Sequence, residues 1–337
     1  MLYSMKKSPP TIKEVTKDIY LLSIPIPLMK QVNCYLFRGD KGFTLIDTGL
    51  FTKEGMGIWE DLISLGFKIE KVVLTHFHID HIGFAKWFQE KHHVPVVISR
   101  LGYEEMNQRR KGVYTDWVIN LFQEHDSFRF YQTVIENQIA LEEQMMYAYE
   151  FEPDELLEDN QYIMLGKEMY ETIWTPGHSP DHFSFYNHER KIMVIGDHIM
   201  NHLSPVILLE SPTDVNPLRS YFDSLEKMKE YSIQLALPGH GKLMENLHKR
   251  MEDIKSGHQY RMEQIIESLQ NQEKTAGQMT QEIYKKTSSL LGYSPIMSTI
   301  IRCIYLESIG KVHSECINGK RVYRIAYEKP MNSFLNE

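Results

Sequence analysis

The strongest constraint in this chain is a short apolar strand that runs straight into a cluster of ligand-type side chains. Val72-Val73-Leu74 leads into Thr75-His76-Phe77-His78-Ile79-Asp80-His81-Ile82-Gly83. Alternate residues of an extended chain share a face, so the imidazoles of His76 and His78 can converge on one ion. Asp80 and His81 fall at the turn into the next helix, where they can aim at a neighbouring point. A solvent-exposed polar loop would be the bland reading. Burying these groups without a partner would be costly, and a metal ion supplies that partner. The pattern then recurs. Ile173-Trp174-Thr175-Pro176-Gly177-His178, Met193-Val194-Ile195-Gly196-Asp197 and Leu235-Ala236-Leu237-Pro238-Gly239-His240 each carry an apolar strand to a ligand-type residue on a turn. Any one of these would pass for a surface turn. Together, in this order, they point to a site built on strand ends, where a rigid scaffold presents functional groups.

Composition narrows the class of protein that carries these pieces. The 337 residues exceed the roughly 100–200 of one domain, so two domains or one elaborated domain are expected. A hydrophobic content of 42% with 24% charged residues supports a buried core and excludes disorder as the main state. No apolar run approaches the roughly 18 residues of a membrane span. The start, Met1-Leu2-Tyr3-Ser4-Met5-Lys6-Lys7, has no apolar run after its lysines, so a secretory signal is not expected. Cys34, Cys303 and Cys316 are odd in number and far apart, which gives no disulfide framework and suggests a reducing cytoplasm. A net charge of −8 argues against a globally basic nucleic-acid binder while leaving room for a local basic face. With 15 histidines beside three cysteines, a bound metal would be held by imidazole and carboxylate.

Strand signals open the chain at Tyr20–Ile24, Val32–Phe37 and Phe43–Ile46, with Asp40-Lys41-Gly42 as a hairpin turn. A helical segment around Trp59–Leu65, the strand Lys71–Leu74, a helix over Gly83–Glu90 and the strand Val94–Ile98 follow, predicting an α/β layered core. Residues 101–160 change character. Val113, Trp117, Val118, Leu121 and Phe122 recur at helical spacing, and Ile139, Leu141, Met145 and Met146 do so less regularly, which reads as a helical insertion. Strands return at Tyr162–Leu165, Tyr170–Trp174, Phe183–Tyr186, Ile192–Ile195 and Gln234–Leu237. A long amphipathic helix carries Met262, Ile265, Ile266 and Leu269. Last come a capping box at Thr275–Gln278, a helix after Pro295 that stops at Gly310, and two strands around Asn318-Gly319. Helix, helix, hairpin is a winged-helix pattern. The expected divisions are a core over 1–245, a connecting helix over 246–274 and a winged-helix-like domain over 275–337.

On His76-x-His78-x-Asp80-His81, His178, Asp197 and His240, the chain resembles the metallo-β-lactamase-fold hydrolase superfamily over about residues 18–245. The resemblance implies an α+β fold, a four-layer αββα sandwich, with a two-metal site. His76, His78 and His178 would bind the first ion, Asp80, His81 and His240 the second, and Asp197 would bridge. Asp47 in Leu45-Ile46-Asp47-Thr48-Gly49 matches an aspartate that braces the ligand loop, although a plain turn residue is the alternative. His182 and His198 receive no role. Three histidines suit tetrahedral zinc with one position open, while iron or manganese remain options. Paired ions about 3.5–4 Å apart would share a water and bring its pKa toward roughly 7. Asp80 would serve both as a ligand and as orienter or proton acceptor for that water. Di-iron oxygen-reducing members usually carry Glu at the position of His78, and zinc β-lactamases lack a His after the motif Asp and use Cys. Neither type is expected here.

The C-terminal unit resembles the β-lactamase-like protein 2 group, which includes endoribonucleases. Between residues 275 and 330, eight Lys or Arg stand against four acids, about +4, far weaker than a dedicated nucleic-acid stripe. Packing or homodimer formation, nucleic-acid contact and shaping of the active-site entrance all stay open. The expected function is hydrolysis of a small ester, thioester or lactone, with an endoribonuclease or other phosphodiesterase as the alternative, and a non-catalytic ligand-binding protein as a third. Apolar Trp117, Leu121, Phe122 and Met145 of the insertion are candidates for lining a pocket for a hydrocarbon portion of the substrate, or for packing the insertion alone.

Overall fold

A computed structural model describes residues 11–27, 30–112, 114–202, 204–284 and 293–326. The N-terminal residues 1–10, Val113, and Lys285, Lys286, Glu328 and Lys329 of the charge count for 275–330 lie outside the described residues. Those of 1–115 and 136–255 form one compact unit, and those of 116–135 and 256–337 form a second.

In the first unit, β1 (Ile12–Thr16), β2 (Ile19–Ile26), β3 (Lys30–Arg38), β4 (Phe43–Ile46), β5 (Ile69–Val73), β6 (Val96–Ser99) and β7 (Glu155–Leu157) make one sheet in that order. A second sheet runs β12-β11-β10-β9-β8, from β8 (Gln161–Leu165) through β9 (Glu168–Trp174), β10 (Phe183–Asn187) and β11 (Ile192–Gly196) to β12 (Leu235–Pro238). Pairing is parallel from β4 to β7 and between β11 and β12. These are the strands with near-continuous apolar sequence, as expected where both faces of a sheet are covered.

Strand alternation sorts the apolar residues into two cores. Ile46, Val73 and Val97 point between the sheets, where they meet Ile163, Leu165, Phe185, Val194 and Leu237. Their neighbours Leu45, Val72, Leu74, Val96 and Ile98 point the other way, to Trp59 and Leu62 of α1 (Lys53–Ser64) and Trp87 and Phe88 of α3 (Ala85–His92). Between the turns of this layer lies the single turn α2 (Ile79–Ile82). A one-residue slip in β4 or β5 would exchange the two cores. Each such side chain contributes roughly 1.5–3 kcal/mol by leaving water. This is the metallo-β-lactamase sandwich. Thr52 caps α1 by accepting from the Gly55 N–H at 3.0 Å, and the Trp59 indole donates to Thr48 O at 2.9 Å. Further on, α4 (Arg100–Arg110) follows β6 directly, capped by Ser99, and a 3₁₀ turn at Met146–Tyr149 precedes β7.

The segment read from sequence as one insertion is divided. α4 groups with the sandwich, whereas most of α5 (Tyr114–Glu124) and the first part of α6 (Phe128–Gln144) group with the C-terminal residues. The reason is visible in the contacts: Phe122 is buried against Tyr131 and Tyr293, at 6.2 and 5.7 Å between ring centroids, and His125 O accepts the Gly277 N–H at 2.9 Å. After β7 the sandwich adds α7 (Pro217–Met228), started by Asn216 and Pro217 and overlooked in the sequence reading. α8 (Leu247–Leu269) then leads to β13 (Lys274–Thr275) and α9 (Ala276–Ile283), with the Thr275–Gln278 capping box formed. α10 (Ser294–Ser308) and the hairpin β14 (Val312–Ile317) and β15 (Lys320–Ile325) complete the unit as a three-stranded sheet, β13-β15-β14. Asn318 and Gly319 at φ 52° and 75° supply the two left-handed residues of the tight hairpin turn.

Two histidines of this unit make it acid-sensitive. Burial pushes His125 and His258 down to about 3; Arg302 adds to this at His258, whose Nδ1 accepts from Arg302 Nη2 at 3.2 Å. Folded, both are neutral; unfolded, each takes up a proton below about 6.5. Their contribution to stability is therefore intact above about 6.5 and is lost as pH falls toward 3. Urea unfolding of metal-free protein should show a midpoint that drops between pH 6.5 and 4.5. His258→Gln, which keeps an acceptor for Arg302, should make that drop shallower.

Candidate metal centre

Every ligand-type residue singled out in the sequence stands just beyond the C-terminal end of a strand. Asp47 follows β4, His76 to His81 follow β5, His178 follows β9, Asp197 follows β11 and His240 follows β12. Backbone hydrogen bonds tie these loops together: Phe183 N–H donates to Thr75 O at 2.8 Å and Asn33 N–H to Gly239 O at 2.7 Å across the two sheets, and Gly239 N–H to Gly196 O at 2.7 Å within the second. The result is three overlapping groups able to hold a metal ion: His76, His78 and His178; His76, His81 and Asp197; and Asp80, His81 and His240. His78 and Asp80 are the two partly exposed members, and the others are buried.

Hydrogen bonding fixes which nitrogen of each imidazole faces this centre. A neutral imidazole has one N–H and one lone pair, so its partners identify the tautomer. His178 Nδ1 donates to Val206 O at 2.7 Å, and His240 Nδ1 donates to Gln31 O at 2.7 Å. His81 Nδ1 donates to Asp47 Oδ2 at 2.8 Å, and His78 Nε2 to Glu210 Oε1 at 3.2 Å. The Thr75 hydroxyl is committed to Asp47 Oδ2 at 2.9 Å, so it accepts from His76 Nδ1 at 2.8 Å. With each ring in the neutral form that binds metal, all five lone pairs would point inward. His76 Nε2 and His178 Nε2 come within 3.0 and 3.1 Å of His78 Nδ1, three acceptors with no proton to share. His81 Nε2, His240 Nε2 and Asp197 Oδ1 are buried and have no hydrogen-bond partner among the described residues. Such a set is unfavourable empty and suits a cation, with the outer nitrogens held as metal-binding histidines require.

Asp197 joins the groups. Its Oδ2 lies 3.2 Å from His240 Nε2, 3.5 Å from His81 Nε2 and 3.7 Å from His178 Nε2, while Asp80 Oδ2 lies 3.2 Å from His240 Nε2. The electrostatics divide accordingly. Burial, and next the neighbouring His78, push His178 down to about 4, so it stays neutral, the form that ligates. Burial also opposes charge on His240, yet the carboxylates of Asp197 and Asp80 prevail and raise it to about 10. The Asp80 carboxyl is itself drawn down to about 2 by His81 and His240 against its burial. This half of the centre asks for positive charge.

Close backbone approach is part of the geometry. A Cβ at Gly239 would collide with Asp197 Oδ1 and crowd His81 Cε1, so the turn before His240 needs glycine. His182, left open by the sequence, accepts the Asp197 N–H at its Nε2 (3.2 Å) and donates from Nδ1 to the Thr175 hydroxyl (2.9 Å); it props the Asp197 backbone. His198 is buried with its ring 4.7 Å from that of Tyr221, and neither nitrogen has a hydrogen-bond partner among the described residues. Sequence reasoning missed Glu210, Val206 and Gln31. Glu210 stands 132 residues from His78, and no local pattern marks it. Of the pocket candidates, Trp117, Leu121 and Phe122 belong to the second unit, and Met145 to the first.

Asp47 accepts three hydrogen bonds, from Thr75 N–H (2.9 Å), the Thr75 hydroxyl and His81 Nδ1. Asp47→Asn would turn an amide donor onto one of these donors. Losing such an outer partner typically weakens metal binding about 10–100-fold. Chelator competition against zinc should show a loss of that size in Asp47→Asn; wild-type affinity would mean the brace is dispensable.

Known proteins share both the sequence and the geometry. Residues 29–240 match the family model of the metallo-beta-lactamase superfamily. The probable metallo-hydrolase YqjP of Bacillus subtilis (strain 168) is 27% identical over 287 residues, 80% of this chain and 86% of that protein. An atrochrysone carboxyl ACP thioesterase of Aspergillus fumigatus is 25% identical over 251 residues, 72% of this chain and 61% of the thioesterase, so the chain spans less than two thirds of that relative. A beta-lactamase-like protein 2 homolog of Caenorhabditis elegans is 23% identical over 263 residues, 76% of this chain and 72% of that protein. The crystal structure of a metallo-beta-lactamase family protein from Thermus thermophilus aligns with a TM-score of 0.79 at 25% identity, covering 93% of this chain and all of that one (100%). A beta-lactamase domain protein from Burkholderia ambifaria aligns at 0.82 and 19% identity, over 96% and 97% of the two chains, a likeness of fold. With its strand-end histidines and aspartates gathered in one sandwich, the chain belongs to the metallo-beta-lactamase superfamily.

Proposed function

We propose that this metallo-hydrolase cleaves a small ester, thioester or lactone, with His76, His78 and His178 holding one divalent ion, Asp80, His81 and His240 a second, and Asp197 touching both. The observation that carries the reading is the set of five inward lone pairs fixed by outer hydrogen bonds. Zinc suits the imidazole-rich set, with iron or manganese as substitutes. Bound there, such ions supply a water acidified toward about pH 7 and polarise the oxygen of a carbonyl.

The chain's own groups then have separable tasks. Asp80 has a side chain 23% exposed, against 0% for His81 and 4% for His240, so it is the carboxylate that faces incoming water and substrate. Ionised at neutral pH, it would orient a water and serve as the acceptor for its proton. His81, Asp197 and His240 are closed off and act by holding charge in place. A thioester or ester is favoured over RNA by two supports. One relative is named an ACP thioesterase. The basic residues Lys320, Arg321 and Arg324 are already paired within their own unit, with Asp126 at 3.2 Å, Glu124 at 2.6 Å and Glu315 at 2.8 Å, which leaves few cations for phosphates. Met145, in the same unit as the metal centre, is proposed as a contact for an apolar portion of the substrate; Phe122, fully buried, would act through packing in the second unit, to which Trp117 and Leu121 also belong.

Elemental analysis of protein purified without chelator should give about two first-row ions per chain, and a value near zero would sink the metal assignment. His78→Ala should lose an ion and fall to background hydrolysis. Asp80→Ala should lose about 10²–10⁴-fold in rate, the span of a general base, while keeping at least one ion. Thioesters, lactones and single-stranded RNA are to be run in parallel with His178→Ala as the control. Acyl hydrolysis that vanishes in the control supports the proposal. RNA cleavage that vanishes there, with no acyl hydrolysis, would overturn it.

A further inference from the structure

Among the five inward histidines, His78 is anchored differently from the rest. It is also the most exposed of them, with 22% of its side chain open. His178 and His240 are held by backbone carbonyls, and His76 and His81 through the Thr75–Asp47 brace. The outer nitrogen of His78 meets Glu210, a carboxylate only 8% exposed, at 3.2 Å. The other oxygen of Glu210 accepts from Arg109 Nη2 at 2.8 Å, and the Arg109 guanidinium lies 4.8 Å from the centre of the Phe77 ring, next to His78 in sequence. A guanidinium can only donate and an ionised carboxylate can only accept. Glu210 must therefore receive the proton of His78 Nε2, which leaves the lone pair on Nδ1. The loop that carries Glu210 also supplies Val206 O to His178, so one loop between β11 and α7 grips two of the three imidazoles of the first group.

We propose that Glu210, fastened by Arg109, is a positioning residue that fixes the His78 tautomer and so sets metal affinity at the first group. The inference rests on the metal-centre reading above but not on any choice of substrate. Without Glu210 the exposed imidazole is free to exchange tautomers and turn away. Arg109 acts through Glu210: with the guanidinium gone, the carboxylate would be buried without its counter-charge and its grip on His78 would loosen. Nothing in the local sequence requires an acid at 210 or an arginine at 109; they are recognised by their contacts behind the most exposed of the five imidazoles.

The test uses the full chain and four proteins: wild type, Glu210→Ala, Glu210→Gln and Arg109→Met, with the Glu210→Ala/Arg109→Met double variant closing the cycle. Nitrogen-15 spectra of the metal-free proteins should show His78 as the Nε2–H tautomer in wild type and in Glu210→Gln, whose amide oxygen still accepts. In Glu210→Ala the two tautomers should mix. Zinc affinity by chelator competition should fall about 10–100-fold in Glu210→Ala and recover most of that loss in Glu210→Gln. Arg109→Met should lower affinity in the wild-type background and add nothing in the Glu210→Ala background. A Glu210→Ala protein that keeps both the single tautomer and wild-type zinc affinity would overturn the proposal, as would an Arg109→Met effect that persists undiminished without Glu210. If wild type itself binds no zinc, the metal-centre reading fails instead; if all variants behave as expected yet no acyl substrate turns over, only the substrate assignment fails.

Discussion

The Asp47 carboxylate is the contact on which the rest of the centre depends. It ends β4 in the left-handed region, at φ 57°, a conformation that costs a non-glycine residue of order 1–3 kcal/mol. In return the chain turns so that one buried carboxylate receives the Thr75 N–H, the Thr75 hydroxyl and His81 Nδ1. Thr48, next in sequence, holds the same loop by its other side: its N–H and its hydroxyl both donate to His81 O, at 2.7 and 2.8 Å. Two adjacent residues thus fix the start and the end of the His76–His81 loop. Charge-assisted hydrogen bonds of this kind are worth roughly 1.5–3 kcal/mol each, enough to outweigh the strained backbone and leave the loop rigid.

That brace would be useless on a softer scaffold. β4 and β5 are four and five residues long, and their alternation sends one set of side chains between the sheets and the other toward α1 and α3. Because both faces are buried, neither strand can slide without moving apolar groups into the wrong core. The sheet register therefore locates Asp47 and His76 relative to each other, and β11 and β12, parallel and equally buried, do the same for Asp197 and His240. Precision at the ligands is inherited from the register of the strands that carry them.

How much of this can be read from the chain depends on how local the determinants are. The ligand loops were legible because each is a strand followed within a few residues by a turn, so sequence adjacency and spatial adjacency coincide. The sandwich was legible for the same reason: β4, β5 and β11 are apolar runs bounded by glycine, proline or charge. Glu210, Val206 and Gln31 were not legible, since each meets its histidine across a gap of at least 28 residues. The role of His182 was hidden too, because what it holds is a backbone N–H. The helical stretch after residue 100 misled in a different way. Amphipathic spacing tells that Phe122 needs a partner, yet it does not say which one, and the apolar partners Tyr131 and Tyr293 lie with the C-terminal elements.

Charge balance ties the brace, the clamp and the ligands into one argument. Four carboxylates converge here: Asp80 and Asp197 among the inward groups, and Asp47 and Glu210 behind His81 and His78. Asp181, also buried nearby, is pushed up to about 7 by burial, so it is only partly ionised at neutral pH. Against this stands Arg109, the permanently charged cation seen in contact with the set among the described residues. A protonated His240 would offset one more negative charge, leaving the buried cluster short of positive charge in a medium where unpaired ions are costly. Two divalent ions bring four positive charges to the same place. With Arg109 counted and the histidines neutral, the sum would pass one charge beyond neutrality, enough to hold one anionic ligand such as a hydroxide. A centre of that kind would attract an electron-rich oxygen at its mouth, which is the property a metallo-hydrolase needs before any bond is broken.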